Sequence, residues 1–207
     1  MELYIHIPFC VRKCAYCDFL SAPAGQDTIV RYMERLKEQL VEQAAFLRGR
    51  TVIDTVFIGG GTPTILHAWQ LAELLETVQT NYALAKKVEF TVEANPGTLT
   101  PGKARALAEG GVNRVSLGLQ SACEQELRLL GRIHTYEDFL RSYELVREAG
   151  IANLNVDLMS ALPGQTISSY EKTLQRVLAL HPQHISAYSL IIEEGTPFYE
   201  QYREDEK

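Results

Sequence analysis

The chain opens with Leu3-Tyr-Ile-His-Ile-Pro-Phe-Cys10-Val-Arg-Lys-Cys14-Ala-Tyr-Cys17, an alternating strand pattern that runs into three cysteines. Iron–sulfur clusters in proteins usually take four cysteine thiolates. Three closely spaced thiolates leave one iron of a four-iron cluster without a protein ligand, so that this iron can bind a small molecule. The spacing therefore predicts a [4Fe–4S] cluster on Cys10, Cys14 and Cys17.

A structural zinc site is an alternative interpretation of these cysteines. Zinc takes four ligands, but the fourth cysteine, Cys123, lies far along the chain, which leaves His6 as the nearest other donor. A disulfide framework is disfavoured, because four cysteines in 207 residues without a recognisable signal peptide are typical of a reducing compartment. We therefore expect the protein to be cytoplasmic.

The composition is 46% hydrophobic and 22% charged, which is ordinary for one globular domain with a substantial core. The net charge of −6 disfavours a nucleic-acid partner, because surfaces that bind nucleic acid are normally basic. No apolar run approaches the roughly 20 residues that a membrane-spanning helix needs. We expect neither a nucleic-acid partner nor a transmembrane segment.

Short β-rich runs alternate with longer helical patterns along the whole chain. The predicted strands are 3–7, 55–58, 88–94, 114–120, 153–158 and 185–191, and the predicted helices are 28–48, 67–80, 101–109, 136–149 and 167–180. This alternation predicts an α/β fold with parallel strands joined by crossover helices.

The predicted strands alternate apolar and polar residues. Val88, Phe90 and Val92, for example, share one face of a strand, and Glu89 and Glu93 share the other. Parallel strands that are covered on both faces usually read as continuous apolar runs. A polar inner face therefore predicts an open, partial barrel that holds ligands inside. An antiparallel sheet with one face in water is the alternative, since it alternates for the same reason.

Polar groups and glycines stand where several predicted strands end. Gly59–Gly61 follows the second strand, Glu93 closes the third, Gln120 the fourth and Asp157 the fifth, and Arg132 follows shortly after the fourth. Functional groups of parallel α/β folds gather at these strand ends. Glu93 suits a ligand ammonium, Asp157 suits ribose hydroxyls, and Arg132 suits bidentate binding of a carboxylate.

Several segments together resemble the HemN/HemW family of radical S-adenosylmethionine (SAM) proteins. They are Pro8-Phe-Cys10 with Cys14-Ala-Tyr-Cys-Asp-Phe19, Gly59-Gly-Gly-Thr-Pro63, Val92-Glu-Ala-Asn-Pro96, Ser116-Leu-Gly-Leu-Gln-Ser121, Leu130-Gly-Arg-Ile-His134, Asp157-Leu-Met159 and Leu162-Pro-Gly-Gln-Thr166. The resemblance covers nearly the entire chain. It implies a TIM-like partial (β/α)6 barrel, a [4Fe–4S] cluster, and SAM bound to the open iron through its amino and carboxylate groups.

The resemblance also implies roles for individual residues. Cys10, Cys14 and Cys17 match the cluster ligands. The positions of a first SAM match Tyr4, Gly60, Glu93 and Ile191. The positions that the family assigns to a second SAM match Tyr16, Gly61, Thr62, Gln120, Arg132 and Asp157.

Two activities occur in this family, a haem chaperone and an oxygen-independent coproporphyrinogen III oxidase. The oxidase typically has a long segment before the cluster loop and an extra cysteine two residues after the third, where this chain has Phe19. The resemblance therefore implies a HemW-like protein that binds haem and passes it to an acceptor protein. The alternative is the oxidase, an enzyme that decarboxylates a porphyrinogen. Ala161 stands where the family usually has glycine.

The end of the sequence predicts a further element. After Gly195-Thr-Pro197, residues 198–207 predict the start of an exposed helix. We expect the natural protein to continue beyond Lys207, so that residues 1–207 form its N-terminal radical SAM core domain.

Overall fold

The structure is a computed structural model, and it describes residues 1–47, 49 and 51–203. Six strands form a single sheet in the order of the sequence, and every neighbouring pair is parallel. Their bounds are β1 Glu2–Ile7, β2 Ile53–Gly60, β3 Leu84–Ala94, β4 Arg114–Gln120, β5 Asn153–Ser160 and β6 His184–Ser189. The α/β prediction is confirmed, and the antiparallel alternative is wrong. In the described part of the chain β1 and β6 are the two sheet edges, so the barrel is partial.

Helices connect the strands. They are α1 Gln26–Leu47, α2 Ala68–Asn81, α3 Pro101–Glu109, α4 Glu124–Leu129, α5 Tyr136–Glu148, α6 Ile167–Leu178 and α7 Pro197–Tyr202, with a 3₁₀ turn at Pro63–Ile65. Threonines fix four helix starts, because the side chains of Thr100, Thr135, Thr166 and Thr196 each accept a hydrogen bond from a backbone N–H three residues on. The predicted end of the first helix, at residue 48, lies outside the described residues.

The two faces of the sheet divide as the alternation predicts. Val115, Leu117 and Leu119 of β4 are fully buried against the helical layer. On the opposite, inner face, Ser116 and Asn155 are also buried, although they are polar. Their side chains hydrogen-bond to each other (Asn155 Nδ2 to Ser116 Oγ, 2.7 Å). The interior of the barrel is therefore polar and internally hydrogen-bonded, as a ligand-holding barrel requires.

Several predicted boundaries are wrong, and one helix is missing from the prediction. Strand β5 continues to Ser160, so Asp157 lies inside the strand rather than at its end. Strand β6 stops at Ser189, which pairs with Ser160, the last residue of β5, and Ile191 therefore follows the strand. Helix α4 is not in the predicted set, because its six residues are too few to show a helical period.

Helix α7 begins close to the predicted position but is not fully exposed. Phe198 is 1% exposed and packs with Leu130, Met159 and Leu162 in a small second core. The sequence beside it is polar, so the burial of this one aromatic residue comes from tertiary packing. Residues 204–207 of the predicted helix lie outside the described residues.

Ala161 has a left-handed backbone (φ +57°) directly after β5. Glycine adopts this conformation without steric cost, whereas a residue with a Cβ atom is disfavoured there. The turn therefore favours glycine, which the resemblance implies at this position, and Ala161 adopts it at a steric cost.

No helix in the described part of the chain is both long enough and apolar enough to cross a membrane.

Candidate functional site

A cavity of about 470 Å³ opens at the C-terminal ends of the strands. Its size suits a small-molecule ligand. Eleven of the thirteen predicted site residues line it, namely Cys10, Cys14, Tyr16, Cys17, Gly60, Gly61, Glu93, Gln120, Arg132, Asp157 and Ile191. Parallel strands bring these residues together, because the C-terminal ends of all six strands, and the loops that follow them, lie at the same end of the barrel.

Two predicted site residues stand apart from the cavity. Tyr4 lies on the edge strand β1 and is 56% exposed, and its hydroxyl contacts His6 Nδ1 at 2.9 Å. Thr62 is buried behind the cysteine loop, where its hydroxyl faces Cys10 Sγ. The structure therefore does not bring either side chain into the lining of the cavity.

The glycines after β2 hold the start of the cysteine loop. The Gly61 N–H donates to Ile7 O (2.9 Å), and the Thr62 N–H donates to Phe9 O (2.7 Å). A Cβ atom on Gly61 would lie 2.6 Å from Phe9 O, so a larger residue would push the two backbones apart. Gly60 has φ +107°, and a Cβ atom there would lie 2.5 Å from the ring of His6.

The middle of the cysteine loop is held by hydrogen bonds with the turn after α4 and with the start of α7. Ala15 N–H donates to Leu130 O (3.0 Å), and Ala15 O accepts from Phe198 N–H (3.0 Å). The Arg12 guanidinium donates to Gly131 O (2.7 Å). Both the β2 glycines and the turn after α4 therefore fix this loop, although it has no regular secondary structure of its own.

The three thiols of the loop are half-buried and line the same cavity. Within the described residues, no group of three or more His, Cys, Asp or Glu side chains is arranged around one metal ion. A zinc site needs four donors around a single ion, whereas each thiolate of a cubane ligates a different iron. Burial raises the pKa of the Cys17 thiol, and a bound metal centre would offset this cost by stabilising the thiolate.

Glu93 is a carboxylate of the cavity whose hydrogen-bond partner in the described part of the chain is a backbone N–H. Its Oε2 accepts the Gly60 N–H at 3.0 Å, and no ion pair found in the described part of the chain involves it. Burial and, to a smaller extent, the nearby Asp157 raise the pKa of Glu93 to about 7, although the Gly60 N–H opposes the rise. A ligand ammonium in the cavity would supply the missing positive charge.

Asp157 is held by the inner face of the barrel. Its two oxygens accept from Ser116 Oγ (2.9 Å) and Asn155 Nδ2 (2.7 Å). Burial raises the pKa of Asp157, while these hydrogen bonds oppose the rise. A carboxylate has about four acceptor positions, so Asp157 keeps capacity for ligand hydroxyls.

Arg132 does not stand free for a bidentate carboxylate contact. Its Nη2 donates to Asn95 Oδ1 (2.7 Å) and Gly118 O (2.6 Å), and its Nη1 donates to Cys14 Sγ (3.5 Å). Both hydrogens of Nη2 are used within the protein, so the paired Nη1 and Nη2 edge is not available to a ligand. The expectation of fork-like binding through that edge is therefore wrong in this structure.

Gln120 has a strained backbone at the end of β4. Its φ of +72° follows an irregularity in the register between β4 and β5. Such bulges re-aim a side chain, and non-glycine residues rarely adopt this conformation. Gln120 Oε1 accepts from the hydroxyl of Tyr188 (2.9 Å), whose pKa burial raises to about 12, so this phenol remains a donor.

The sequence prediction missed several cavity residues. Asn95, Ser116, Gly118 and Tyr188 also line the cavity. Ser116 and Gly118 lie on the same face of β4 as Gln120, so the alternation of inward positions was a signal that could have found them. Asn95 belongs to the quoted Val92–Pro96 segment, but the sequence alone does not show its partners.

Comparison with protein families identifies the family of the chain. Residues 4–177 match the model of the radical SAM superfamily. The chain belongs to this superfamily. It is 41% identical to the heme chaperone HemW of Escherichia coli over 199 residues, which cover 96% of this chain and 52% of that protein. It is 40% identical to HemW of Bacillus subtilis over 197 residues, covering 95% and 52%.

A solved structure is also similar. Coproporphyrinogen III oxidase (HemN) from Escherichia coli, a radical SAM enzyme, superposes with a TM-score of 0.85 at 27% identity, covering 98% of this chain and 51% of that one. The chain thus spans about half the length of the relatives it matches. The resemblance to the HemN/HemW family is confirmed.

The raised pKa of Glu93 predicts that the stability of the folded protein depends on pH. Its pKa of about 7 in the folded state exceeds the ordinary 4.5, so its stabilising contribution is complete below about pH 4.5 and is lost as the pH rises through 7. We expect Glu93→Gln to raise the free energy of unfolding of the metal-free protein by about 1–3 kcal/mol at pH 8, and by much less at pH 5.

Thermal unfolding of both proteins at the two pH values measures this difference. Glu89→Gln is the matched control, because Glu89 lies on the same face of the same strand but is exposed. If Glu93→Gln changed the melting temperature equally at pH 5 and pH 8, the raised pKa of Glu93 would be contradicted.

Proposed function

We propose that this chain is the radical SAM domain of a HemW-like haem chaperone. In this proposal the domain holds a [4Fe–4S] cluster and SAM, and the protein binds haem and passes it to an acceptor protein. The observation that carries the choice is the identity of 41% with a heme chaperone, against 27% with the oxidase. The first value supports the proposal of a shared function, and the second is lower over a similar share of the chain.

The donor set of the cysteine loop supports the cluster. Cys10, Cys14 and Cys17 are free thiols on one loop that faces the cavity. Arg12 and Lys13, between the first two, place positive charge beside thiolates and so favour them. The cluster would supply an open iron for the amino and carboxylate groups of SAM, and an electron for its chemistry. Free thiols also suit the reducing cytoplasm, where we propose that the protein works.

The cysteines can be tested separately from the rest of the site. We expect the full-length protein, reconstituted without oxygen, to carry about four irons and four sulfides per chain. Cys14→Ala should lose most of both. Cys123→Ala is the matched control and should keep them, because Cys123 does not line the cavity. Stoichiometric zinc without sulfide in the wild-type protein would refute the cluster.

The backbone glycines and Glu93 support the binding of SAM. Gly60 and Gly61 bring the main chain to the cavity wall without side chains, and Glu93 offers an unpaired carboxylate beside them. We assign Glu93 to the SAM ammonium. The division of Tyr16, Gln120, Asp157 and the other predicted residues between one and two SAM molecules stays a prediction.

Removal of the negative charge of Glu93 should weaken SAM binding. A charge-assisted hydrogen bond contributes about 1.5–3 kcal/mol, so we expect Glu93→Gln to bind SAM at least about tenfold more weakly at pH 8. Isothermal titration calorimetry on cluster-loaded protein measures the affinity, with Glu89→Gln as the control. Equal affinities of wild type and Glu93→Gln would rule out this role.

The mouth of the cavity has features that suit a haem. Phe19 and Ile191 line it and are 67% and 68% exposed, so they present apolar surface to a flat ligand. Arg12 and Lys13 line the same mouth and can receive propionates. Arg132 suits this role less well, because both hydrogens of its Nη2 are already used.

The oxidase is the second candidate, because the structural similarity to HemN is high over 98% of the chain. Phe19 argues against it, since the oxidase typically has a cysteine at this position. We expect the full-length, cluster-loaded protein to shift the Soret band of added haem and to transfer the haem to an apo-acceptor. We expect no product from coproporphyrinogen III with SAM and a reductant. Robust decarboxylation would replace the chaperone proposal with the oxidase.

A further inference from the structure

One chain of hydrogen bonds connects the thiols of Cys10 and Cys14, two of the three proposed cluster ligands. Thr62 Oγ1 donates to Cys10 Sγ at 3.5 Å, and Arg132 Nη1 donates to Cys14 Sγ at 3.5 Å. Asn95 joins the two donors, because its Nδ2 donates to Thr62 Oγ1 and its Oδ1 accepts from Arg132 Nη2, each at 2.7 Å. We call these three side chains the Asn95 relay.

The direction of every bond in the Asn95 relay follows from the chemistry of its members. Arginine has only donors, so the Asn95 atom that faces Arg132 is the amide oxygen. The amide nitrogen therefore faces Thr62 and donates to its hydroxyl oxygen. The single hydrogen of that hydroxyl is then left for Cys10 Sγ. Thr62 is 2% exposed, so water does not compete for this hydrogen.

The backbone holds Asn95 in this orientation. Asn95 O accepts from the Thr98 N–H (3.1 Å) and from Thr98 Oγ1 (2.7 Å), which closes the turn after β3. Gly118 leaves the space for the amide and the guanidinium to meet. A Cβ atom there would lie 3.1 Å from Asn95 Oδ1 and 3.3 Å from Arg132 Nη2, which is closer than ordinary contact.

We infer that Asn95 is a positioning residue that raises the reduction potential of the cluster by aiming Thr62 and Arg132 at two of its thiolates. The inference rests on the proposed cluster. Hydrogen bonds to cysteine sulfur withdraw electron density, which stabilises the reduced and more negative state of a cluster. Cys17 lies outside the relay and is paired with the backbone N–H of Phe19 instead. The resemblance implies that Thr62 and Arg132 lie at a SAM molecule, and in this structure Thr62 Oγ1 and Arg132 Nη1 also lie 3.5 Å from the sulfur atoms of Cys10 and Cys14.

Thr62 gives the cleanest test, because valine has nearly the same shape but no hydroxyl. We expect Thr62→Val to lower the reduction potential, so that the ratio of reduced to oxidised cluster at a fixed solution potential falls about threefold to tenfold. A tenfold change corresponds to about 59 mV for one electron. Thr62→Ser keeps the donor and should keep the wild-type potential. Thr91→Val is the matched control, because Thr91 is buried like Thr62 but its hydroxyl donates to Glu89 and not to a thiol.

Asn95→Asp tests the centre of the relay. An aspartate still accepts from Arg132, but it has no donor for Thr62, so the hydroxyl of Thr62 turns from Cys10 to the carboxylate. We expect this variant to lower the potential at least as much as Thr62→Val. Anaerobic redox titration of the full-length protein without SAM, followed by electron paramagnetic resonance, measures the potential. Iron and sulfide are counted in each sample.

The outcomes separate this inference from the proposed function. Lower potentials in Thr62→Val and Asn95→Asp, with wild-type potentials in Thr62→Ser and Thr91→Val, would support the relay. Complete clusters with an unchanged potential in Thr62→Val and Asn95→Asp would overturn the inference and leave the cluster standing. Absence of any cluster from the wild-type protein would overturn both.

Discussion

The close approach of the backbone after β2 to the backbone after β1 is the contact on which the site depends. Gly61 and Thr62 extend the parallel hydrogen bonding of the two strands into the cysteine loop, through Ile7 O and Phe9 O. A side chain at Gly61 would meet Phe9 O at 2.6 Å and break this extension. Because Cys10 follows Phe9 directly, the glycine run determines where the first thiol stands, and the triplet and the glycines act as one motif.

Burying carboxylates inside the barrel costs free energy, and hydrogen bonds within the protein offset this cost for Asp157 more than for Glu93. Glu93 and Asp157 are buried carboxylates in one cavity, and each is harder to ionise than in water. Asp157 has hydroxyl and amide donors around it, whereas Glu93 has one backbone N–H. A carboxylate that already has several hydrogen-bond donors in the free protein gains little stabilisation from a charged ligand. The small number of donors around Glu93 is therefore better explained by a role in ligand binding than by a role in stabilising the fold.

The sequence predicts most of this architecture because its signals are local. Alternation along β3 and β4 identifies both faces of the strands, and Pro101 and Gly150 mark the ends of helices. What it cannot predict depends on partners that are distant in sequence. The contacts of Arg132 with Cys14 and Gly118 span 118 and 14 residues, and no local pattern shows that its donors are occupied. The end of β6 likewise depends on where β5 stops pairing.

The same dependence on distant partners explains a motif that lies outside the cavity. Gln165, in the Leu162–Thr166 segment, donates from its Nε2 to Glu126 Oε2 (3.0 Å) and to Met159 O (3.3 Å). Ser121, next to Gln120, donates to the same carboxylate at 2.6 Å. Gln120 and Met159 both line the cavity, so the buried Glu126 braces the ends of β4 and β5 against each other. In the described residues the edge strands β1 and β6 do not pair with each other. Such an open barrel needs braces of this kind, because the sheet alone does not fix the spacing of its loops.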